Sequence, residues 1–129
     1  MHFLIIAILL LSSTLCSAKL NIELPTMPTT TGKASWYGKR EQGKRTASGE
    51  RFDRRRFTCA SRTYPLGTLL MIKFPSKGTF VVVRVNDRGP FKKGRILDLS
   101  EHAAQTLGLK PFGVATVVIE PLHTKWGQA

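Results

Sequence analysis

The sequence predicts a small, mainly β domain, built as a closed barrel of about six short strands with one or two short helices. Short apolar runs rich in β-branched residues recur between turn residues, at intervals of roughly 8 to 12 residues. Only one stretch has clear helical periodicity instead. Closing the sheet into a barrel would leave no exposed strand edges in so small a domain.

The first 18 residues are expected to lie outside this fold. Phe3–Leu11 is an unbroken apolar run, and small and polar residues follow it as far as Ala18. Because a membrane span needs about 20 apolar residues, the run predicts a secretory signal peptide over 1–18. An uncleaved signal or lipid attachment at Cys16 are the alternatives, and Leu15 before it makes lipid processing less favoured. The protein is therefore expected to be exported, to the periplasm, the cell envelope or the medium.

The rest of the chain divides into a linker at 19–32, one barrel domain at 33–122 and a short tail at 123–129. The charged residues all follow the signal segment, with 20 Lys and Arg against 8 Asp and Glu, for a net charge of +12. Such an excess indicates either an acidic polymer as partner or a generally solubilising surface. For an exported protein the available polymers are those of the cell wall rather than nucleic acid.

Three strand candidates occupy the first half of the domain. Lys33–Tyr37 ends in two large aromatic side chains that could anchor it. Phe57–Ala60 is a short apolar run, in which Cys59 is expected to be a small buried hydrophobic residue. Pro65–Gly67 is a turn that leads into Thr68–Phe74, where apolar and polar residues partly alternate.

Three further strand candidates follow. Pro75–Gly78 is typical of a hairpin turn, so Thr79–Val85 should return beside the preceding strand. Ile96–Leu99 is short, and Val114–Ile119 completes the set with β-branched residues.

One helix is predicted between the last two strands. Ser100 is a natural N-cap, Glu101 favours the positive end of the helix, and Gly108 is suited to ending it. Its apolar stripe consists of Ala103, Ala104 and Leu107.

No metal or organic cofactor is implied by the sequence. Removal of the signal would leave Cys59 as the single cysteine, which excludes an intramolecular disulfide. No group of cysteine and histidine residues has the spacing of metal ligands.

Candidate catalytic residues cluster in two stretches. Val81–Asp98 reads as a strand, a tight polar turn and a second strand, with Asp87 and Asp98 at the ends of apolar runs. Upstream, Thr46–Asp53 holds a second dense group of polar residues, including Glu50.

In series, these stretches resemble the rare lipoprotein A family. The most specific segment is Val-Arg-Val-Asn-Asp-Arg-Gly-Pro-Phe, which ends at Phe91. The matching segments, in order, are Ala34–Gly38, Thr46–Glu50, Pro65–Thr68, Val81–Phe91, Gly94–Ser100 and Ala103–Ala104. The resemblance implies a six-stranded double-psi β-barrel related to expansins. It also implies an endolytic peptidoglycan lytic transglycosylase, a lyase acting on glycan strands that preferably lack stem peptides.

The same resemblance assigns proton transfer to Asp87, with Glu50 assisting across the groove. The plainer alternatives are an Asx turn for Asp87 and a solvated ion pair with Arg51 for Glu50. Asp98 is the rival catalyst, because expansin-like barrels use an aspartate in a similar context. Its alternative role is to help Ser100 cap the helix.

Two features weigh against catalysis. Ser61 stands where family members often have histidine, and serine cannot exchange protons near neutral pH. In addition, Arg88 follows Asp87 and Arg51 follows Glu50. If these arginines point toward the groove, they should keep the carboxyl groups ionised and unable to donate protons.

The competing hypothesis is therefore a non-catalytic, expansin-like module that binds wall polysaccharide or other anionic wall polymers. The residues that would stack on sugar rings are Trp36, Tyr37 and Phe91, and those that would hold an acidic polymer are Arg84, Arg88 and Arg95. Mutation of Asp87 separates the two hypotheses, because only the enzyme should lose its activity while it keeps its binding.

Overall fold

The computed structural model describes residues 28–123. The predicted signal peptide, the alternative lipid site at Cys16, most of the predicted linker and the tail from Thr124 onward lie outside the described residues.

The described residues form six strands, one α-helix and a 3-10 turn. In chain order the elements are β1 (Thr30–Tyr37), β2 (Thr58–Ala60), β3 (Leu69–Phe74), β4 (Thr79–Asp87), β5 (Arg95–Ser100), α1 (Glu101–Leu107), the 3-10 turn (Lys110–Phe112) and β6 (Ala115–His123). The strands close into a barrel in the order β1-β5-β2-β4-β3-β6. The pairs β1–β5 and β2–β4 are parallel, and the other four are antiparallel. The predicted six-stranded barrel is confirmed.

Three strands extend two or more residues beyond one of their predicted ends, because pairing with distant strands extends them. β1 begins at Thr30 and so includes the last three residues of the predicted linker, which pair with 117–119 of β6. β4 continues to Asp87, which pairs with Ala60 of β2. β6 continues to His123, which pairs with Leu69 of β3.

The core lies inside the barrel, and side chains alternate between the inside and the outside along each strand, as the pleat requires. Its inward side chains are almost fully buried and include Leu70, Ile72, Val83, Val85, Leu97, Leu99, Val117 and Ile119. Burying each such side chain contributes about 1.5–3 kcal/mol. Cys59 belongs to the same core, as predicted, and burial raises the pKa of its thiol.

The helix begins and ends where the sequence predicts. The Ser100 hydroxyl accepts a hydrogen bond from the Ala103 amide at 3.3 Å, and Gly108 ends the helix in the left-handed conformation at φ 86°. Ala103, Ala104 and Leu107 are buried in the barrel core. Within residues 28–123, no helix is both long and apolar enough to cross a membrane.

Candidate functional site

A cleft of about 630 Å³ opens on the barrel beside β2 and contains both Asp87 and Asp98. Ala60 of β2 pairs with Asp87 of β4 on one side and with Asp98 of β5 on the other. Because neighbouring strands lie about 4.8 Å apart, the two aspartates are held with their Cα atoms about 10 Å apart. Ala60 lines the cleft with only a methyl group, which leaves the space between the two carboxyl groups open.

Asp98 is the carboxyl group whose surroundings favour protonation. Ser35 of β1 pairs with it in register, and the Ser35 hydroxyl donates a hydrogen bond to Asp98 Oδ1 at 2.9 Å. Burial raises the pKa of Asp98, and this effect outweighs the hydrogen bond from Ser35 and the positive charge of Arg95, which lower it. A carboxylic acid with a raised pKa can act as a general acid closer to neutral pH than an exposed aspartate can.

Asp87 is held rigidly at the end of β4. Its Oδ1 atom accepts hydrogen bonds from the backbone amides of Ala47 and Arg88, each at 2.9 Å. The bond to Arg88 is of the local kind expected for a turn aspartate. The bond to Ala47 reaches a loop 40 residues earlier in the chain and fixes that loop beside the cleft.

The arginines adjacent to Asp87 and Glu50 both turn away from these carboxyl groups. Arg88 Nη1 donates to the carbonyl oxygens of Ser61 at 3.0 Å and Tyr64 at 2.6 Å. Arg51 Nη1 donates to the carbonyl oxygen of Gly43 at 2.9 Å. The Arg88 guanidinium is therefore engaged with backbone carbonyl oxygens rather than with the Asp87 carboxyl group.

Glu50 lies outside the cleft, in a second cavity of about 410 Å³. Its carboxylate forms a bidentate ion pair with Arg84, at 2.6 and 3.1 Å. Hydrogen bonding to Arg84 lowers the pKa of Glu50, which suits an acceptor of hydrogen bonds and not a proton donor. The alternative pairing of Glu50 with Arg51 is not formed, since Arg51 donates to Gly43, and Glu50 lines a different cavity from Asp87. Arg84, expected at the substrate, is committed to this ion pair.

Ser61 has a structural role in the turn after β2. It is fully buried, and its hydroxyl oxygen accepts hydrogen bonds from the backbone amides of Thr63 at 3.2 Å and Tyr64 at 3.1 Å. It is absent from the cleft lining, whereas the preceding residue, Ala60, is present.

Tyr37 supplies a polar group to the cleft that the sequence pattern did not reveal. Its ring stacks on Phe52 with centroids 4.4 Å apart, so this face of the ring is already covered. Its hydroxyl oxygen is buried and has no hydrogen-bond partner within residues 28–123. Burial, reinforced by the negative charge of Asp87, raises the pKa of Tyr37. The phenol therefore keeps its proton, and a residue of the cleft lining carries a hydrogen-bond donor that has no partner within residues 28–123.

The other two aromatic candidates also reach the cleft, in different ways. Trp36 is half-buried, and its indole nitrogen donates to the Lys110 carbonyl oxygen at 3.2 Å. Phe91 is 82% exposed beside the cleft, where its ring is free to contact a sugar.

The cleft is bordered mainly by cations. They are Lys39, Arg40, Lys44, Arg45, Arg88, Lys92 and Arg95, against the acidic residues Glu41, Asp87, Asp98 and Glu101. In the part of the chain that the structure describes, no three His, Cys, Asp or Glu side chains come together as a metal site would require.

Comparison with known proteins identifies relatives over most of the barrel. The profile of a family described as lytic transglycolase matches residues 29–119. Proteins named endolytic peptidoglycan transglycosylase RlpA are 48% identical over 94 residues in Neisseria meningitidis and 47% identical over 92 residues in Vibrio cholerae. These matches cover 73% and 71% of this chain, which spans only 39% and 35% of the length of these relatives.

Solved structures share the fold. An expansin from Clavibacter michiganensis is 27% identical with a TM-score of 0.60, over 74% of this chain and 51% of the expansin. A papain inhibitor from Streptomyces is 20% identical with a TM-score of 0.62, over 78% of this chain and all of the inhibitor, and this likeness concerns the fold alone. Together with the strand order, these likenesses confirm the predicted double-psi β-barrel.

Proposed function

The chain belongs to the lytic transglycolase family, and from this premise we propose that it cleaves the glycan strands of peptidoglycan endolytically, leaving 1,6-anhydromuramyl ends. The observation that carries this proposal is the cleft in which Asp87 and Asp98 flank Ala60, with the pKa of Asp98 raised. The names of the relatives support the substrate. The apolar segment at the start of the chain supports action outside the cytoplasm, during wall remodelling.

We assign the role of general acid to Asp98 rather than to Asp87, which the resemblance favours. In the first half of the reaction the protonated Asp98 gives its proton to the glycosidic oxygen, and the bond from C1 of the muramyl sugar to that oxygen breaks. Positive charge then develops on C1 and the ring oxygen. The Cα atom of Asp87 lies about 10 Å from that of Asp98, and two backbone amides hold the Asp87 side chain in place. Asp87 is thereby placed to stabilise the positive charge on the sugar.

In the second half, the 6-hydroxyl group of the same muramyl sugar attacks C1 and closes the anhydro ring. Its proton passes to the Asp98 carboxylate, so the catalyst returns to its starting state without consuming water. One carboxyl group thus serves first as acid and then as base. The Tyr37 hydroxyl is available to donate a hydrogen bond to the sugar at this position.

The test is cleavage of purified glycan strands from which stem peptides have been removed, with the products analysed by mass spectrometry. We expect anhydro-ended fragments from the wild type and a loss of at least about hundredfold in rate for Asp98→Asn, as for removal of a general acid. Glu120→Gln is the matched control, because Glu120 lies on β6, away from the cleft, in an ion pair with Lys73 at 2.9 Å.

Hydrated reducing ends would replace the transglycosylase proposal with a hydrolase. Full activity in Asp98→Asn together with loss in Asp87→Asn would return the role of acid to Asp87. Strands carrying intact stem peptides, run in parallel, test the expected preference for peptide-free strands.

Polysaccharide binding without cleavage is the second candidate function. The likeness to an expansin and the exposed Phe91 beside a cationic border favour it. This candidate would be supported if the wild type gave no anhydro product but bound glycan strands, and if that binding weakened with salt and persisted in the Asp98→Asn and Asp87→Asn variants.

A further inference from the structure

The second cavity is separated from the cleft by Phe52, which lines both spaces and is 2% exposed. Thr58 of β2 pairs in register with Arg84 of β4, and Asn86 lies two residues further along the same face of β4. The loop that carries Glu50 covers this face and completes the cavity.

Two buried polar atoms in the wall of the second cavity have no hydrogen-bond partner within residues 28–123. They are Thr58 Oγ1 and Asn86 Oδ1, in side chains whose residues are only 4% and 2% exposed. Buried polar atoms of folded proteins are nearly always satisfied by protein, water or ligand. These two atoms are therefore suited to receive a polar ligand that enters the cavity.

The charged groups of the second cavity are already engaged with each other or with backbone. Arg84 is paired with Glu50 at 2.6 Å, and Arg56 lies 3.7 Å from Asp53. Arg51 donates to a backbone carbonyl oxygen. This pairing favours a neutral ligand over a free anion, since an anion would have to compete with the carboxylates already present.

A neutral ligand for this wall must carry closely spaced donors and acceptors. The Thr58 hydroxyl can donate or accept, and Asn86 Oδ1 accepts. The Glu50 carboxylate is already engaged by Arg84, and hydrogen bonding from the Ser48 and Asn86 side chains also lowers its pKa, so the ligand's partners are the Thr58 hydroxyl and Asn86 Oδ1. Sugar hydroxyl and acetamido groups have this chemistry, and about 410 Å³ falls within the usual range of small-ligand pockets.

We propose that the second cavity is a subsite for a further N-acetylated sugar unit of the glycan strand whose scissile bond occupies the cleft, bound through Thr58 and Asn86. The identity of the ligand rests on the proposed function, whereas the existence of the site rests on the two unpartnered atoms. Because Phe52 forms a wall common to both spaces, a strand long enough to pass over it occupies both, and a disaccharide occupies only the cleft.

The test is Thr58→Val, which removes the hydroxyl while keeping the shape and the strand propensity of the side chain. We expect its Tm to be at least as high as that of the wild type, because the hydroxyl has no hydrogen-bond partner within residues 28–123 and its removal leaves no group unsatisfied. Thr68→Val is the matched control. Thr68 is also buried, but its hydroxyl donates to the Pro65 carbonyl oxygen at 2.7 Å, so its removal should lower the Tm without changing glycan affinity.

Binding is measured by calorimetry in an Asp98→Asn background, with peptide-free glycan fragments of two sugars and of eight sugars. For Thr58→Val we expect about a tenfold loss of affinity for the longer fragment, the effect of one lost hydrogen bond, and no change for the disaccharide. Thr58→Ser, which keeps the hydroxyl, should retain the affinity for the longer fragment.

Equal affinities of wild type and Thr58→Val for the longer fragment would overturn the subsite, as would equal losses for both fragments. A lower Tm in Thr58→Val would also count against it, since the hydroxyl would then have a structural partner. If the wild-type enzyme yields no anhydro products but its binding depends on Thr58, the proposed function fails and the subsite stands. Binding of neither fragment would reject both.

Discussion

Replacing Tyr37 with phenylalanine should make the protein more stable and less active at once. The substitution keeps the stack on Phe52 and removes only a hydroxyl that is buried without a hydrogen-bond partner within residues 28–123. A buried unsatisfied hydroxyl costs about 1–3 kcal/mol. Taking the lower value, we expect Tyr37→Phe to raise the Tm by about 4–8 °C for a domain of this size.

The loss of activity follows from the place of Tyr37 in the lining of the cleft. If it donates to a sugar oxygen that gains negative charge during the reaction, the hydrogen bond is worth about 1.5–3 kcal/mol. Tyr37→Phe should then lower kcat/KM about tenfold to hundredfold. The assays are calorimetric unfolding and the rate of release of anhydro-ended fragments.

Tyr64→Phe is the matched control, because Tyr64 lies outside the cleft and, among the described residues, its hydroxyl has only a long contact with Thr30, at 3.4 Å. Both its Tm and its activity should stay close to those of the wild type. A fall in Tm for Tyr37→Phe would show that the hydroxyl is satisfied in the free protein. Unchanged kcat/KM would remove Tyr37 from the catalytic site.

Three further predictions follow from individual residues. Cleavage should decline as pH rises through the raised pKa of Asp98, because only its protonated form donates; a rate that stays constant on the alkaline side would contradict this assignment. The folded-state pKa of Glu50 is lowered, so its contribution to stability is present above the unfolded-state pKa, about 4.3, and is lost as pH falls through the folded-state pKa. Glu50→Gln should therefore lower the free energy of unfolding, measured with urea, by up to about 1 kcal/mol at pH 7 and by almost nothing in strong acid. The value at pH 7 is small because the Glu50 and Arg84 side chains are both more than one third exposed. Leu99→Ala, in the fully buried core, should cost about 2–5 kcal/mol in the same assay, and a cost below 1 kcal/mol would show that the core refills the cavity.

Much of the fold could be predicted from the sequence because its signals are local. Short apolar runs between turn residues marked each strand to within a few residues of its bounds, and Ser100 and Gly108 marked both ends of the helix. Strand extension was missed at Thr30 and His123, because partners on other strands determine it. The local residue pattern does not show which distant strand will pair with these residues.

The candidate site divides in the same way. The sequence identified Asp87 and Asp98 as candidates from their positions beside apolar runs, but it could not show that Ala60 lies between them. The plainer alternative for Glu50 was an ion pair with its neighbour Arg51, whereas the barrel brings Arg84 to it across 34 residues of chain. Contacts between residues adjacent in sequence are the natural expectation, and here the closed sheet overrides them.

By itself, the sequence determined the strands, the helix and the set of residue types that can act on a glycan. Only the tertiary structure decided which carboxyl group is buried, which carboxylate is paired with arginine, and where polar atoms such as those of Tyr37 and Thr58 are left without a partner. The physical reason is that desolvation and hydrogen bonding depend on what surrounds a group in space. In a closed barrel with two parallel strand pairs, those surroundings come from segments far apart in the chain.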